Sequence, residues 1–436
     1  MELLPIFRKA YWSLAAGGLL YVLFVCSLTF PEVQRFVLYA NKINPTIWQD
    51  VNQVEQFGFL RTQVQPFHLV TPDNETLYGW HLMPVHLCLE HEEELMESPP
   101  SGPAEDYTTT PAYKLLANDP NARVVVSFHG NAAHLGSAQR PHNYNTILGL
   151  STPSKPVHVF AIDYRGFGVS TGSPTEEGVI TDGVSLLNFL TAGPLTIPPS
   201  QIVLVGQSLG TAVTAAVAER FAFGSPDPAA LQPTVKNPEP FAGVVLLASF
   251  SSLANVIQSY SLKGFTPPML SPLMGYPRFQ AWLMSHIVDG WDTAGRLARL
   301  TGVASVDSDA GGKYTPGNLD LTIVHAFDDV EIPWYESRAV WKAATGEDVV
   351  GAPGELTYYK ADDGNPSQIK IWKNEIVQGD GTSIVKTVRW ERVRYGGKLV
   401  FLGFFYFSIT LLNLLGHNRV ASGSVAGLAV MRAFER

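Results

Sequence analysis

Short, solidly apolar runs alternate along the chain with longer stretches in which apolar residues recur at helical spacing. The runs are "ARVVVSF" (122–128), "PVHVFAI" (156–162), "QIVLV" (201–205), "AGVVLLA" (242–248), "LDLTIVH" (319–325) and "KTVRWERVRY" (386–395). Val/Ile/Leu runs of this length suit strands buried on both faces, and helix-length segments between them make a parallel sheet the economical arrangement. The pattern predicts an α/β fold with a doubly wound, mostly parallel sheet. Upstream, "TQVQPFHLV" and "TLYGWHLMP" alternate on either side of the turn-rich "TPDNE", which predicts an antiparallel hairpin at a sheet edge. Residues 84–113 lose periodicity and gather acids, prolines and serines, the composition of a solvated loop. The longest interval between strands, 251–318, carries scattered aromatics and prolines. It reads as an inserted helical cap over the C-terminal strand edge, where open α/β sheets bind ligands.

Two further runs are too long for strands. Ala10–Pro31 holds 22 residues without a charge, enough to cross a hydrocarbon core of about 30 Å. It predicts a single transmembrane anchor behind a short cytosolic tail, residues 1–9, with residues 32–436 forming one large domain. Leu399–Gly416 holds another 18 uncharged residues, directly before His417, the last histidine of the chain.

Composition supports membrane contact. Charged residues make up 16% of the chain, against about 25% in an average soluble domain. The net charge of -9 comes with no basic run, so nucleic acid is not an expected partner. Of the two cysteines, Cys26 lies within the first apolar run, and no disulfide framework is implied. His86, Cys88 and His91 have no further Cys or His at zinc-like spacing, and no metal site is expected. Arg8 and Lys9 before the anchor favour a cytosolic N-terminus, and the sequon Asn74-Glu75-Thr76 suits a glycosylated, lumenal body in the endoplasmic reticulum.

The run "QIVLV" leads into Gly206-Gln207-Ser208-Leu209-Gly210 and then into "TAVTAAVAERF". G-x-S-x-G is weak evidence alone, but here it lies between a strand and a helix. So tight a turn strains the serine backbone, and flanking glycines remove side chains that would clash. Ser208 Oγ would project above the sheet as a nucleophile, with the Leu209 N–H and the helix N-terminus facing negative charge on a substrate oxygen. A second donor should follow an earlier strand: the N–H of Asn131 in His129-Gly130-Asn131, with Gly130 permitting close approach and His129 bonded within the loop. Asp163 at the end of "PVHVFAI" reads as a loop-fixing residue. A serine needs a base, and the base an orienting carboxylate. Asp328, Asp329 and Glu331 after "LDLTIVH" are candidate acids, and beyond them the chain has one histidine, His417.

"HGN" (129–131), "DYRGFGVSTGSP" (163–174), "GQSLG" (206–210) and "HAFDDVEIP" (325–333) together resemble the membrane-anchored serine hydrolases of the α/β-hydrolase superfamily. They are similar to the monoacylglycerol and lysophosphatidylserine lipases with one N-terminal transmembrane helix. The resemblance implies a Ser208–Asp329–His417 triad, the acid lying four residues after the histidine in H-x-x-x-D-x-x-[VI]-P. It also implies a lipid ester or thioester substrate and no cofactor. Phe265, Phe279 and Trp282 of the cap are expected to line an acyl pocket. A protein acyl-thioesterase would use the same groups, and a displaced His417 would favour a non-catalytic receptor or scaffold.

The sequence departs from this family where the base should be. Lys398–Gly416 separates "RYGG" from "HNRV". As a spanning helix it would carry His417 across the bilayer, and as an interfacial insertion it would have to bring His417 back. An unspliced intron fits better. Gly397-Lys398 can be encoded GGT AAG, containing a GTAAG donor, and Leu415-Gly416 can be encoded CTA GGN, containing an AG acceptor. Excising these 19 codons restores "RYGGHNRV", and the full-length chain is expected to lack a fixed path returning His417 to the site.

Overall fold

All six apolar runs form strands, and these are the parallel strands of one sheet. The computed structural model describes residues 5–44, 46, 48–225, 227–235, 239–259, 270–304, 317–360, 367–378, 381–395 and 416–435. Its ten strands are β1 (Val64–Val70), β2 (Thr76–Leu82), β3 (Arg123–Phe128), β4 (Val157–Ile162), β5 (Ile202–Gln207), β6 (Gly243–Leu247), β7 (Leu319–Ala326), β8 (Glu355–Lys360), β9 (Gln368–Val377) and β10 (Ser383–Val393). Their order is β1-β2-β4-β3-β5-β6-β7-β10-β9-β8, with every pairing from β4 to β10 parallel. The predicted hairpin β1–β2 pairs antiparallel and joins the β4 edge. At the other edge β9 and β8 add two antiparallel strands that the hydrophobic pattern did not predict. β9 reads "QIKIWKNEIV", in which Lys370 and the polar stretch Lys373-Asn374-Glu375 break up the apolar run that marks a strand buried on both faces.

Successive residues of the central strands enter opposite cores, as a period of two requires. Val124, Val126, Ile202 and Leu204 pack on one face with helices Glu176–Thr191, Leu209–Phe223 and Trp334–Thr345. Val125, Val203 and Val205 pack on the other with helices Arg140–Leu148 and Ser424–Phe434. Helix Glu176–Thr191 starts where the Thr175 side chain accepts the Gly178 N–H, with Glu176 and Glu177 in its first turn, an arrangement that satisfies an orphan donor and suits the helix dipole.

Two expected segments differ from the structure. Residues 84–113 are not a bare solvated loop: Val85–Glu90 and Glu92–Glu97 are helical. Cys88, Leu95 and Ala112 bury against Met83, so a few apolar positions among the acids suffice to dock the segment. The interval 251–318 also divides. Leu253–Ser259 and Pro277–Met284 lie over the strand ends, but Leu297 and Leu300 of helix Thr293–Thr301 belong to the main core under the sheet.

Among the described residues one helix, Phe7–Ser27, is long and apolar enough to cross a membrane. Its body is exposed, but Val25 is buried against Leu270, Leu273 and Leu283 of the cap. The following helix Pro31–Tyr39 is fixed below the cap: Gln34 donates to the His286 carbonyl at 2.6 Å, and Tyr39 donates to Asp289 Oδ2 at 3.0 Å.

Candidate active site

β5 ends at Gln207, and helix Leu209–Phe223 begins two residues later. Ser208 alone makes the turn, with φ 55° and ψ -122°, a region that costs a residue with a Cβ about 1–3 kcal/mol. The glycines admit this geometry. A Cβ on Gly206 would lie 2.3 Å from the Gly210 carbonyl oxygen, and one on Gly210 would lie 2.0 Å from that of Phe128. The Ser208 N–H donates to the Leu247 carbonyl at 2.9 Å, tying the turn to β6.

The loop after β3 approaches this turn so closely that a Cβ on Gly130 would lie 3.3 Å from that of Ser208. Neither the Asn131 nor the Leu209 N–H has a backbone acceptor among the described residues. Behind the loop stands Arg140, half-buried and in the first turn of its helix. Its Nη2 donates to the carbonyls of Gly130 (3.0 Å), Asn131 (2.8 Å) and Ala132 (2.9 Å), and Nη1 donates to that of His134. Carbonyls held inward on a guanidinium leave the amides of the same loop to face outward. Nothing in the local sequence pattern marked Arg140. The one available signal was an arginine opening a helix shortly after "HGN".

His129 is bonded within its own loop. Nδ1 meets the Gly130 carbonyl at 2.7 Å, and the backbone carbonyl accepts the Tyr164 hydroxyl at 2.8 Å. Burial holds its pKa well below the ordinary imidazole value. Asp163 accepts the Leu135 N–H at 2.6 Å. Burial pushes its carboxyl up to about 7, against the opposing pull of that amide and of Arg140.

β7 delivers the acid. Asp329 Oδ1 accepts the N–H groups of Glu331 (2.9 Å) and Ile332 (3.0 Å), while Oδ2 lies 2.8 Å from His417 Nδ1 and 3.3 Å from His325 Nε2. Asp328 turns the other way, accepting the Tyr395 N–H at 3.5 Å. Burial works against charge on Asp329, but His417 and His325 prevail and hold its carboxyl well below the usual range. Burial likewise disfavours the His417 imidazolium, and Asp329 overcomes it, so the His417 pKa is raised. Such a pair keeps Nδ1–H on the carboxylate and turns Nε2 toward whatever stands opposite.

Opposite stands a cavity of about 170 Å³ lined by Ser208, His417, Asn131, Leu209 and Glu331. Its walls are apolar: Leu28 from the turn between the two N-terminal helices, Val37 and Leu38 from the second of them, and Leu253, Val256, Ile257, Leu283 and Ile287 from the cap. The structure thus brings Ser208, Asn131, Leu209, Asp329 and His417 together. It does not bring Phe279 or Trp282 of the cap. Trp282 is 44% exposed and stacks on Phe279 at 5.4 Å. Neither lines the cavity, because the helix Pro277–Met284 turns Leu283 and Met284 inward instead. Phe265 lies outside the described residues, as does 398–415 of the anomalous stretch. Asn74 is exposed at the hairpin turn, with φ 67°. Among the described residues no group of three or more His, Cys, Asp or Glu could hold a metal ion.

A model described as the alpha/beta hydrolase family matches residues 124–366, a stretch that ends before His417. Lysophosphatidylserine lipase ABHD12 of Danio rerio is 26% identical over 201 residues, 46% of this chain and 46% of its own. The protein of the same name from Rattus norvegicus is 25% identical over 343 residues, 77% of this chain and 71% of its own. Protein bem46 of Schizosaccharomyces pombe is 30% identical over 154 residues, 35% of this chain and 44% of its own. The chain spans about half the length of the first of these relatives.

Proposed function

Since the chain belongs to the alpha/beta hydrolase family, we propose that it is a membrane-anchored serine hydrolase cleaving acyl esters of lipids such as monoacylglycerols or lysophospholipids. The observation that carries this reading is the His417–Asp329 bond at the wall of an apolar cavity that also holds Ser208. A displaced His417 would favour a non-catalytic receptor or scaffold; the 2.8 Å approach of His417 Nδ1 to Asp329 Oδ2 supports the catalytic reading instead.

Ser208 Oγ attacks the acyl carbonyl carbon while His417 Nε2 takes its proton. Asp329 holds the tautomer and balances the imidazolium. The N–H groups of Asn131 and Leu209 receive the oxyanion. His417 then passes the proton to the leaving alcohol, and water, deprotonated by the same nitrogen, releases the acid and Ser208. The aliphatic walls suit an acyl chain. Leu28 and Val37 also place that cavity beside the end of the apolar helix, so an anchored chain would hold its site next to the bilayer.

Fluorophosphonate, which traps activated serines, should label the wild type and not Ser208→Ala, and the variant should not hydrolyse a panel of lipid esters. Equal labelling of the two sinks the assignment. For the membrane arrangement, the N-terminal helix as anchor with the body in the endoplasmic reticulum lumen, the supports are its 21-residue span, long and apolar enough to cross a membrane, and the exposed Asn74. Loss of mass on N-glycosidase treatment, absent in Asn74→Gln, is the expected result. A body cleaved by protease added outside intact microsomes would reverse the orientation.

A further inference from the structure

The cavity around Ser208 is charged with one sign. Glu331 lines it, with Oε2 3.8 Å from Nε2 of His417. The carboxylate is only 17% exposed. Gln34 and Asn131 are neutral, and no lysine or arginine lines the cavity among the described residues. The imidazolium that forms on His417 is already matched by Asp329 at 2.8 Å, so it leaves no positive charge to receive a second anion.

Position gives this charge a consequence. His417 Nε2 must come within about 3 Å of the ester's leaving oxygen to hand over its proton. Whatever the alcohol carries beside that oxygen is therefore drawn close to the Glu331 carboxylate. In a monoacylglycerol those neighbours are hydroxyls, which donate to a carboxylate. In an acyl ester of an anionic glycerophosphate the neighbour is a phosphodiester, a few bonds from the leaving oxygen. Two anions between aliphatic walls repel more strongly than they do in water.

We propose that Glu331 is the specificity-determining residue for the leaving group: it selects acyl esters of neutral polyols, by accepting a hydroxyl of the departing alcohol, and rejects those of anionic alcohols. The proposal rests on the serine-hydrolase reading above and, of the two lipid classes named there, selects monoacylglycerols over anionic lysophospholipids. Glu331 was visible in "DDVEIP" only as a third candidate acid. Its role follows from the direction of its side chain, which the sequence does not record.

The test compares 1-oleoylglycerol with 1-oleoyl-lysophosphatidylserine in neutral detergent micelles, using the purified full chain. The wild type should favour the neutral ester in kcat/KM by about tenfold or more, and Glu331→Gln should reduce that ratio by about tenfold. Glu331→Asp, keeping the charge, should retain most of the preference. Raised salt should narrow the wild-type ratio, since screening weakens the repulsion, and this arm needs no variant to fold. A wild-type preference for the anionic ester, or an unchanged ratio in a Glu331→Gln protein that fluorophosphonate still labels, overturns the proposal alone. If the wild type turns over neither ester nor any other lipid ester, the serine-hydrolase reading falls with it.

Discussion

Nδ1 of His417 lies 2.8 Å from Oδ2 of Asp329 across 88 residues of chain, while the other oxygen of the same carboxylate accepts two backbone amides of its own loop. The carboxylate is thus fixed on one side and orients the imidazole from the other. Asp329→Asn keeps the shape but presents an amide where an acceptor is needed. It should lower kcat by about 10⁴-fold, the loss seen when a serine protease triad loses its orienting carboxylate. Asp328→Asn should cost far less, because Asp328 meets the Tyr395 N–H rather than His417. Steady-state kinetics on the two variants decides the matter, and reversed magnitudes would shift the acid by one residue.

The same pair predicts a pH dependence. His417 accepts the serine proton only when neutral, and Asp329 raises its pKa despite the opposing effect of burial. The kcat/KM of the wild type should therefore rise with pH through a limb lying above the ordinary histidine value of about 6.5. In Asp329→Asn the stabilisation of the imidazolium is lost while burial remains. What activity survives should titrate at lower pH. A wild-type limb at or below 6.5 would contradict the geometry.

Arg140 offers a test of the oxyanion loop. The two terminal guanidinium nitrogens together hold four carbonyls there, those of Gly130, Asn131, Ala132 and His134, a spread that lysine's single ammonium cannot span from one point. Arg140→Lys and Arg140→Met should both fold and both lower kcat, the methionine variant more. The loss should be roughly 10- to 100-fold, below the full removal of an oxyanion donor at about 10²–10³. KM should change little, since the apolar walls are untouched. A drop in thermal stability with kcat intact would make Arg140 a structural residue only.

These residues were unequally legible in the sequence. Ser208 could be read because everything that shapes it is local: a strand, two glycines and a helix within about twenty residues. The six parallel strands were legible for the same reason, since burial on both faces writes an unbroken apolar run. Strands β8 and β9 were not, because half of their side chains are polar and the pattern competes with that of a loop. Asp329 could be ranked above Asp328 only through a family resemblance, and the structure separates them by direction: one faces His417, the other Tyr395. Phe279 and Trp282 were misjudged because composition says nothing about which side of a helix faces inward. Arg140 and Glu331 act through contacts set by tertiary folding, and neither has a local pattern that announces it.

The full-length chain was expected to give His417 no fixed path back; His417 nevertheless lies 2.8 Å from Asp329, while the path itself, 396–415, lies outside the described residues. Helix Gly416–Ser422 starts one residue before His417, and Arg419 Nη1 donates to the Tyr395 carbonyl at 3.4 Å. Tyr395 also packs so tightly on Gly423 that a Cβ there would lie 2.2 Å from its hydroxyl. The chain on either side of residues 396–415 therefore meets at one place. Removing Lys398–Gly416 puts Gly397 directly before His417, where Gly416 stood. Three Cα steps then join Tyr395 to His417, spanning up to about 11 Å. We expect the shortened chain to fold and to turn over lipid esters within a few-fold of the full chain, because every described group of the site is retained. Sequencing of cDNA should find the codon of Gly397 joined to that of His417 if the stretch is an intron. A shortened protein that folds, as near-UV circular dichroism would show, but escapes fluorophosphonate labelling would mean that the stretch itself helps to hold His417 in place.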